Sequence, residues 1–452
     1  MMNQNAVLRI SLSTLALLFS LPLAATGQSQ DDGTYKTPSK QLDPRIDPEK
    51  LTQQDPPALE QQLILPMPAN FRIAKLASEV PISVEHWKEV NQSIELGLKY
   101  LRANQETTGA WAAHIKATTS NDPNKPSPIS VAITALAVKS IIQAQSQSLE
   151  DETLQKAIAF IRSAQNDNGS FEGGVLTSYV TSLVVMALAS TDEPDFHGEI
   201  ADATRWLKKT QWDQSEGLSA NQDWFGGAGY GKRGRPDLSN TQTMLDALYE
   251  SGISPDEPAM KRALAFLSRA QNLKATNKAD WAGNDGGFIY TPANGGESFA
   301  NEYQGEGRFA EKIPAGQARS LRSYGSMTYA GFKSMIYAGL SPDDIRVRAA
   351  FDWIKNHWTF EENPGVGQQG LYYYYHTMSR ALRVAQQHTI TDANGIEHNW
   401  REELIEAITS RQREDGSWKN SADRWLEAEP VMASVFAILA LEEAIKPTIS
   451  DN

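Results

Sequence analysis

A seven-residue pattern of Gln, five residues containing a Gly, then an aromatic occurs three times: Gln105 to Trp111 (QETTGAW), Gln165 to Phe171 (QNDNGSF) and Gln412 to Trp418 (QREDGSW). An internal repeat constrains a fold more than any single motif, because each unit must bury its apolar face against the next. Each copy lies between the same two kinds of segment. Upstream is an amphipathic stretch with apolar residues at helical spacing: LGLKYLRANQ (96–105), AIAFIRSAQ (157–165) and LIEAITSRQ (404–412). Downstream comes a segment apolar on most sides and rich in small residues: ISVAITALAVKSII (129–142), TSYVTSLVVMALA (177–189) and VMASVFAILALEEA (431–444). A helix that is apolar all round belongs in an interior.

Looser copies fill the gap: residues 203–211 then 238–252, 262–271 then 326–340, and 347–358 then 371–385, which makes six helix pairs. The first and last pairs are as apolar as the middle ones, whereas an open solenoid needs polar caps at both ends. The pattern therefore predicts an all-α fold, an (α/α)6 toroid. In each pair the outer helix runs to the turn and the inner helix returns. All six inner N-termini then emerge at one end, where a cavity opens.

Within the turn, Gly admits a positive φ, Gln is placed to bond orphan carbonyls at the outer helix end, and the aromatic stacks beneath it. Gln105, Trp111, Gln165, Phe171, Gln412 and Trp418 are accordingly read as structural.

Residues 1–27 read as a secretory signal peptide, with basic Arg9, an apolar run from Ile10 to Leu23, and small residues Ala25 and Gly27 at a cleavage site. Residues 28–70 are polar and proline-dotted and read as a disordered or extended leader, leaving 71–448 as the toroid domain. No other segment is long and apolar enough to cross a bilayer, so the expected product is soluble and exported, periplasmic or extracellular. Cysteine is absent, which excludes disulfides and thiolate chemistry. A formal charge of −13 argues against nucleic acid and anionic membrane surfaces as partners.

The Q-x-x-D/N-G-S-W/F repeats resemble those of the squalene–hopene cyclase and protein prenyltransferase β-subunit superfamily, the terpenoid-cyclase-like α/α toroids, over roughly residues 90–445. PDLSNTQ (236–242) and GLYYYYHTMSRAL (370–382) are similar to stretches of secreted prenyltransferase and squalene oxidase repeat proteins. The resemblance implies the fold; it leaves activity open among cyclases, transferases and thioester-containing binding domains. Hopene-type cyclases protonate an alkene with an Asp-x-Asp-Asp acid at the start of an inner helix, and that motif does not occur here; Thr177-Ser178-Tyr179 stands at the corresponding second inner helix. Asp343-Asp344 opens an outer helix, where acids serve the dipole and the cap. Prenyltransferases bind zinc through Asp, Cys and His. Tyr375-His376-Thr377 resembles the segment carrying that His, but 323–331 supplies neither of the other ligands. No metal and no cofactor are therefore expected.

What remains is a polar and aromatic set at the inner N-termini. Asp237, Asn240 and Thr241 open the third inner helix, with Asp237 equally well placed as its N-cap. Arg319, Arg322, Tyr324, Met327 and Tyr329 precede or open the fourth, Tyr372 to His376 the fifth, and Trp425, Glu427 and Glu429 the sixth. Successive helical positions lie about 100° apart, so at most two of the four consecutive tyrosines can face a cavity. Asp237, His376 and Glu429 are the catalytic candidates, with Asp237 or Glu429 as proton donor and Arg322 and His376 as partners. Arg319, Arg322, Tyr324, Asn240, Tyr373, Tyr374 and Trp425 form the candidate ligand-binding set. Gly-rich loops at 226–237 and 286–312 flank the mouth, the second long enough for a lid. Three functions fit: isoprenoid-type chemistry with an unconventional acid, non-catalytic binding of an isoprenoid, peptide or glycan, or polysaccharide chemistry on an (α/α)6 barrel. The partner expected is a small molecule or glycan in the cavity.

Overall fold

The computed structural model describes residues 80–117, 126–145, 149–171, 174–231, 234–301 and 320–447, together with the dipeptide Arg9–Ile10. The rest of the signal-peptide region, the leader, Arg319 and the 302–312 part of the expected lid lie outside the described residues.

Among the described residues, twelve α-helices alternate between an outer and an inner layer. The outer helices are α1 (Val84–Ala103), α3 (Glu152–Ser163), α5 (His197–Thr210), α7 (Pro258–Ala270), α9 (Ile345–Asn356) and α11 (Trp400–Thr409). The inner ones are α2 (Pro128–Gln145), α4 (Thr177–Ala189), α6 (Leu238–Glu250), α8 (Gly325–Tyr337), α10 (Leu371–Val384) and α12 (Pro430–Ile445). Each inner helix packs on the next, and α12 packs on α2, so the ring closes. The fold is the all-α toroid that the repeat predicts.

Local chemistry explains both layers. Four outer helices start on N-caps whose side chains accept a backbone N–H, namely Ser83, Asp151, Asp344 and Asn399, and α7 starts on Pro258, whereas α5 has no side-chain cap. Their apolar stripes face inward. The inner helices are buried nearly all round, as Val180 to Leu188 of α4 shows; each buried Leu, Ile or Val contributes about 1.5–3 kcal/mol relative to exposure.

The turn chemistry differs from the expectation in one respect. Gln105 Nε2 donates to the Gly109 carbonyl at 3.0 Å and to Thr153 of α3 at 2.8 Å, so it ties its turn to the next outer helix rather than to its own helix end. Gln211 reaches Ala259 of α7, and Gln271 reaches Arg346 of α9. Gln412 reaches the Ser93 carbonyl of α1 at 2.9 Å, joining the last repeat to the first. The orphan carbonyls instead receive indole N–H groups: Trp111 Nε1 donates to Leu101 and Trp418 Nε1 to Ile408, both at 2.8 Å. Glycine is required in these turns. Gly416 has φ 84°, and a Cβ there would lie 2.5 Å from the Leu96 carbonyl oxygen.

Candidate ligand cavity

Helix N-termini leave backbone N–H groups without partners, and three inner helices meet them with side-chain caps, one local and two from other segments. Asp237 caps its own helix α6, accepting from Asn240 N and Asn240 Nδ2, both at 2.8 Å. Asn363 Oδ1 accepts from Ser326 N of α8 at 2.9 Å. The Glu427 carboxylate accepts from Tyr372 N at 3.2 Å and Tyr373 N at 2.8 Å, capping α10, whose own N-cap Gly370 has no side chain to offer. Each capping segment is thereby drawn over the ring's end.

Those segments roof a narrow cavity with about 50 Å³ of free space. Inner helices supply Tyr179, Ser239, Ser326, Met327, Tyr373, Met432 and Phe436; the connecting segments supply Tyr230, Tyr290, Phe299, Tyr324 and Trp425. Trp425 (φ 61°) and Leu426 (φ 66°) both hold the left-handed backbone that bulky residues avoid. A Cβ on Gly370 would meet the Trp425 ring at 2.5 Å, so that glycine makes room for the indole. Phe299 lies edge-on to Trp425 at 6.0 Å, and the Arg424 guanidinium sits over both rings, 4.5 Å from Phe299 and 5.3 Å from Trp425.

Two buried carboxyls stand behind these rings. Burial pushes Asp237 up to about 7, against the opposing pull of hydrogen bonds from Asn240 and Tyr290. Tyr290 in turn bonds Tyr230, so Asp237 connects to two hydroxyls of the cavity wall. Burial likewise pushes Glu427 to about 7, against the N–H groups of Tyr373 and Tyr372 and the Asn420 amide.

A second, smaller compartment with about 20 Å³ of free space shares Tyr179, Tyr373 and Phe436 with the first. Its remaining walls include Leu183, Gln242, Asp246, Lys333, His376 and Arg380. Lys333 Nζ donates to both Asp246 oxygens, at 2.6 and 2.7 Å, and to Gln242 Oε1 at 2.9 Å. Arg380 pairs with Glu250 at 2.7 Å, and Lys139 also pairs with Glu250. Glu443 receives Arg383. Desolvation would raise the Glu250 carboxyl, but Arg380 and Lys139 outweigh it and hold Glu250 below its usual range. His376 is held well below the usual imidazole range by burial and by the Arg380 and Lys333 charges.

The expected site residues therefore divide. Tyr324, Tyr373 and Trp425 line the upper cavity, Tyr373 and His376 the lower, and Asp237 with Asn240 sits behind the upper wall. Tyr374 points away from both, its hydroxyl donating to Thr359 O at 2.8 Å in the packing beneath α10. Arg322 lines a separate polar hollow with Asp285, Ser323, Trp353 and His357. Glu429 stays at the rim, 3.4 Å from His114. Asp237, Arg322 and His376 share no cavity. Tyr230, Tyr290 and Phe299 were not singled out from the sequence, although they fall in the two Gly-rich loops flanking the mouth. The charges Lys139, Asp246, Glu250, Lys333 and Arg380 were missed as well; their signal was their presence in otherwise apolar segments.

Residues 82–291 match the family of the squalene-hopene cyclase C-terminal domain. Solved structures to which the chain is similar include the type II terpene cyclase MstE from Scytonema, 12% identical with a TM-score of 0.44, over 79% of this chain and 98% of that one. A protein from Actinoplanes is 15% identical with a TM-score of 0.44, over 78% of this chain and 99% of that one. A D-mannose isomerase is 12% identical with a TM-score of 0.44, over 84% and 99%. No curated protein matches the chain. The match over residues 82–291 supports the terpenoid-cyclase-like superfamily of the squalene–hopene cyclases for that part of the chain.

Proposed function

We propose that this protein is exported and holds an extended apolar ligand of the isoprenoid type in the aromatic cavity at the inner-helix N-terminal end. One observation carries the reading. Of the twelve residues lining the cavity, eight are aromatic and two are methionines, the predominantly apolar and aromatic lining typical of small-molecule sites. Such walls pay no desolvation penalty for taking up hydrocarbon, and ring faces stabilise cationic character along an unsaturated chain. A glycan would leave most of its hydroxyls facing rings.

A second reading adds chemistry. Burial raises the Asp237 carboxyl to about 7 and Tyr290 links it to the cavity wall, so a carboxyl that keeps its proton is available there as a general acid. The proton would reach the alkene carbon from the Tyr290 hydroxyl, which the Asp237 carboxyl reprotonates, leave a carbocation facing the rings, and return by the same route on alkene formation.

A thermal-shift series on the mature chain with squalene, geranylgeraniol, oligosaccharides and divalent metals tests the binding reading, since a ligand of the folded state raises its melting temperature. A shift with the isoprenoids alone supports it; a shift with oligosaccharides alone replaces it with glycan binding. Cyclised product from wild type and none from Asp237→Asn, with binding retained, supports the second reading; equal product from both removes Asp237 from the chemistry. The export reading rests on residues 1–27, and N-terminal sequencing of protein recovered outside the cytoplasm tests it.

A further inference from the structure

We propose that residues 423–426 form a lid over the upper cavity and that the Trp425 indole is its plug, standing in the closed ring where one end of an apolar chain sits once the lid swings out. The proposal rests on the reading of the upper cavity given above. It starts from a shortage of space. The closed cavity has about 50 Å³ free, room for a few waters and far below the roughly 300–1,000 Å³ of small-molecule sites. A chain of isoprene units therefore enters only if part of the wall gives way.

The wall is not uniform. Tyr230 and Tyr290 are fixed to inner helices through their backbones, Tyr230 O accepting from Ser178 N at 2.9 Å and Tyr290 O from Leu238 N at 2.8 Å. The segment 420–429 is built differently. Its base is tied to itself and to α10: Asn420 N donates to Glu427 O at 2.9 Å, Asn420 Nδ2 donates to Glu427 Oε2 at 2.7 Å, and the Glu427 carboxylate caps Tyr372 and Tyr373. Beyond that base the turn closes on itself, Leu426 N donating to Asp423 O at 3.1 Å. Asp423 is exposed and Leu426 buried, so the turn reaches from solvent to the cavity.

Two features mark this turn as the part that moves. Trp425 and Leu426 both hold the left-handed backbone, at φ 61° and 66°, which is costly for bulky side chains and persists only while the surroundings enforce it. The enforcement is the burial of the indole itself, which lines the cavity beside Phe299 and rests in the notch left by Gly370. An apolar group that takes the indole's place removes that enforcement, and the backbone then relaxes out of the left-handed region. Strain and burial thus oppose each other at one residue, the balance that a two-state element requires. Because the base keeps Glu427 on the α10 N-terminus, opening leaves the ring intact.

Calorimetric titration of the full mature chain with farnesene, in wild type and in Trp425→Ala, tests the lid. An open state populated to about 10% or less weakens the apparent affinity by that fraction, so Trp425→Ala should bind farnesene about ten-fold or more tightly than wild type. A Trp425 that served only as wall would give the opposite sign, since the shorter side chain withdraws apolar contact from the ligand. Fluorine NMR of wild type labelled with 5-fluorotryptophan gives a second readout. The Trp425 resonance, one of eleven and identified by its loss in Trp425→Phe, should gain a solvent-isotope shift as farnesene saturates the protein. Tighter binding by Trp425→Ala together with that shift is the expected result, and binding by Trp425→Ala alone also supports the plug. Farnesene bound by wild type with no shift at Trp425, or bound no more tightly by a folded Trp425→Ala, overturns the lid and leaves the upper-cavity reading standing. No binding by either protein overturns both.

Discussion

Asp237 shows how one residue can cap a helix and carry a tunable proton. Its carboxyl is raised from the usual 3.8 to about 7 by burial, so between those values the folded state holds a proton that the unfolded chain has released. Stability contributed by this group is therefore greatest below pH 4 and falls as pH rises through about 7. Glu427 acts in the same direction, from 4.5 to about 7. Denaturant titrations should show wild type losing stability between about pH 4 and pH 7, and Asp237→Asn losing less. Asparagine is itself a good N-cap, so the variant should fold; an unchanged slope would mean that Asp237 is ionised throughout. The cap role of Asp237 was legible from the PDLSN stretch, because N-capping is local. Its link to Tyr290 was not, because it joins two repeats whose relative rotation no local pattern states.

At the scale of elements, the inner helices combine an apolar code with charges that the code does not announce. Lys333 lies between both oxygens of Asp246 on a different helix, and removing one partner of a buried pair leaves the other uncompensated, at about 3–5 kcal/mol. Lys333→Met should therefore destabilise by about that much in chemical denaturation, and Lys333→Met with Asp246→Leu should recover most of it. A double variant no better than the single would place the cost in packing rather than in charge. The turn makes a parallel prediction. Gly416→Ala must take up both φ 84° and a contact of 2.5 Å with Leu96 O. It should cost about 1–3 kcal/mol, read as a lower melting temperature; no change would show that the turn relaxes freely. Gln, Gly and aromatic were readable as a structural unit because their spacing repeats. Which carbonyl the Gln meets was not, since Thr153 is 48 residues away from Gln105.

For the whole molecule, six helical pairs were readable from the period of apolar residues alone, and ring closure follows from the apolar character of the end repeats. The structure realises closure through α12 on α2 and through Gln412 on Ser93. The cavity was only half legible. Tyr324, Tyr373 and Trp425 sit at inner N-termini as expected, whereas Tyr230, Tyr290 and Phe299 come from connecting segments, and Tyr374 and Arg322 face elsewhere. Neighbours in sequence diverge because one helical step turns a side chain by about 100°. The central claim is that the closed ring surrounds an aromatic cavity that takes up an apolar chain. Its most direct test is a tryptophan-fluorescence titration with farnesene of the wild type and of Ser239→Trp, which fills the cavity from its α6 wall. Saturable binding by the wild type and none by a Ser239→Trp protein of unchanged helicity is the predicted result; equal binding by both would place the ligand outside the cavity and contradict the account.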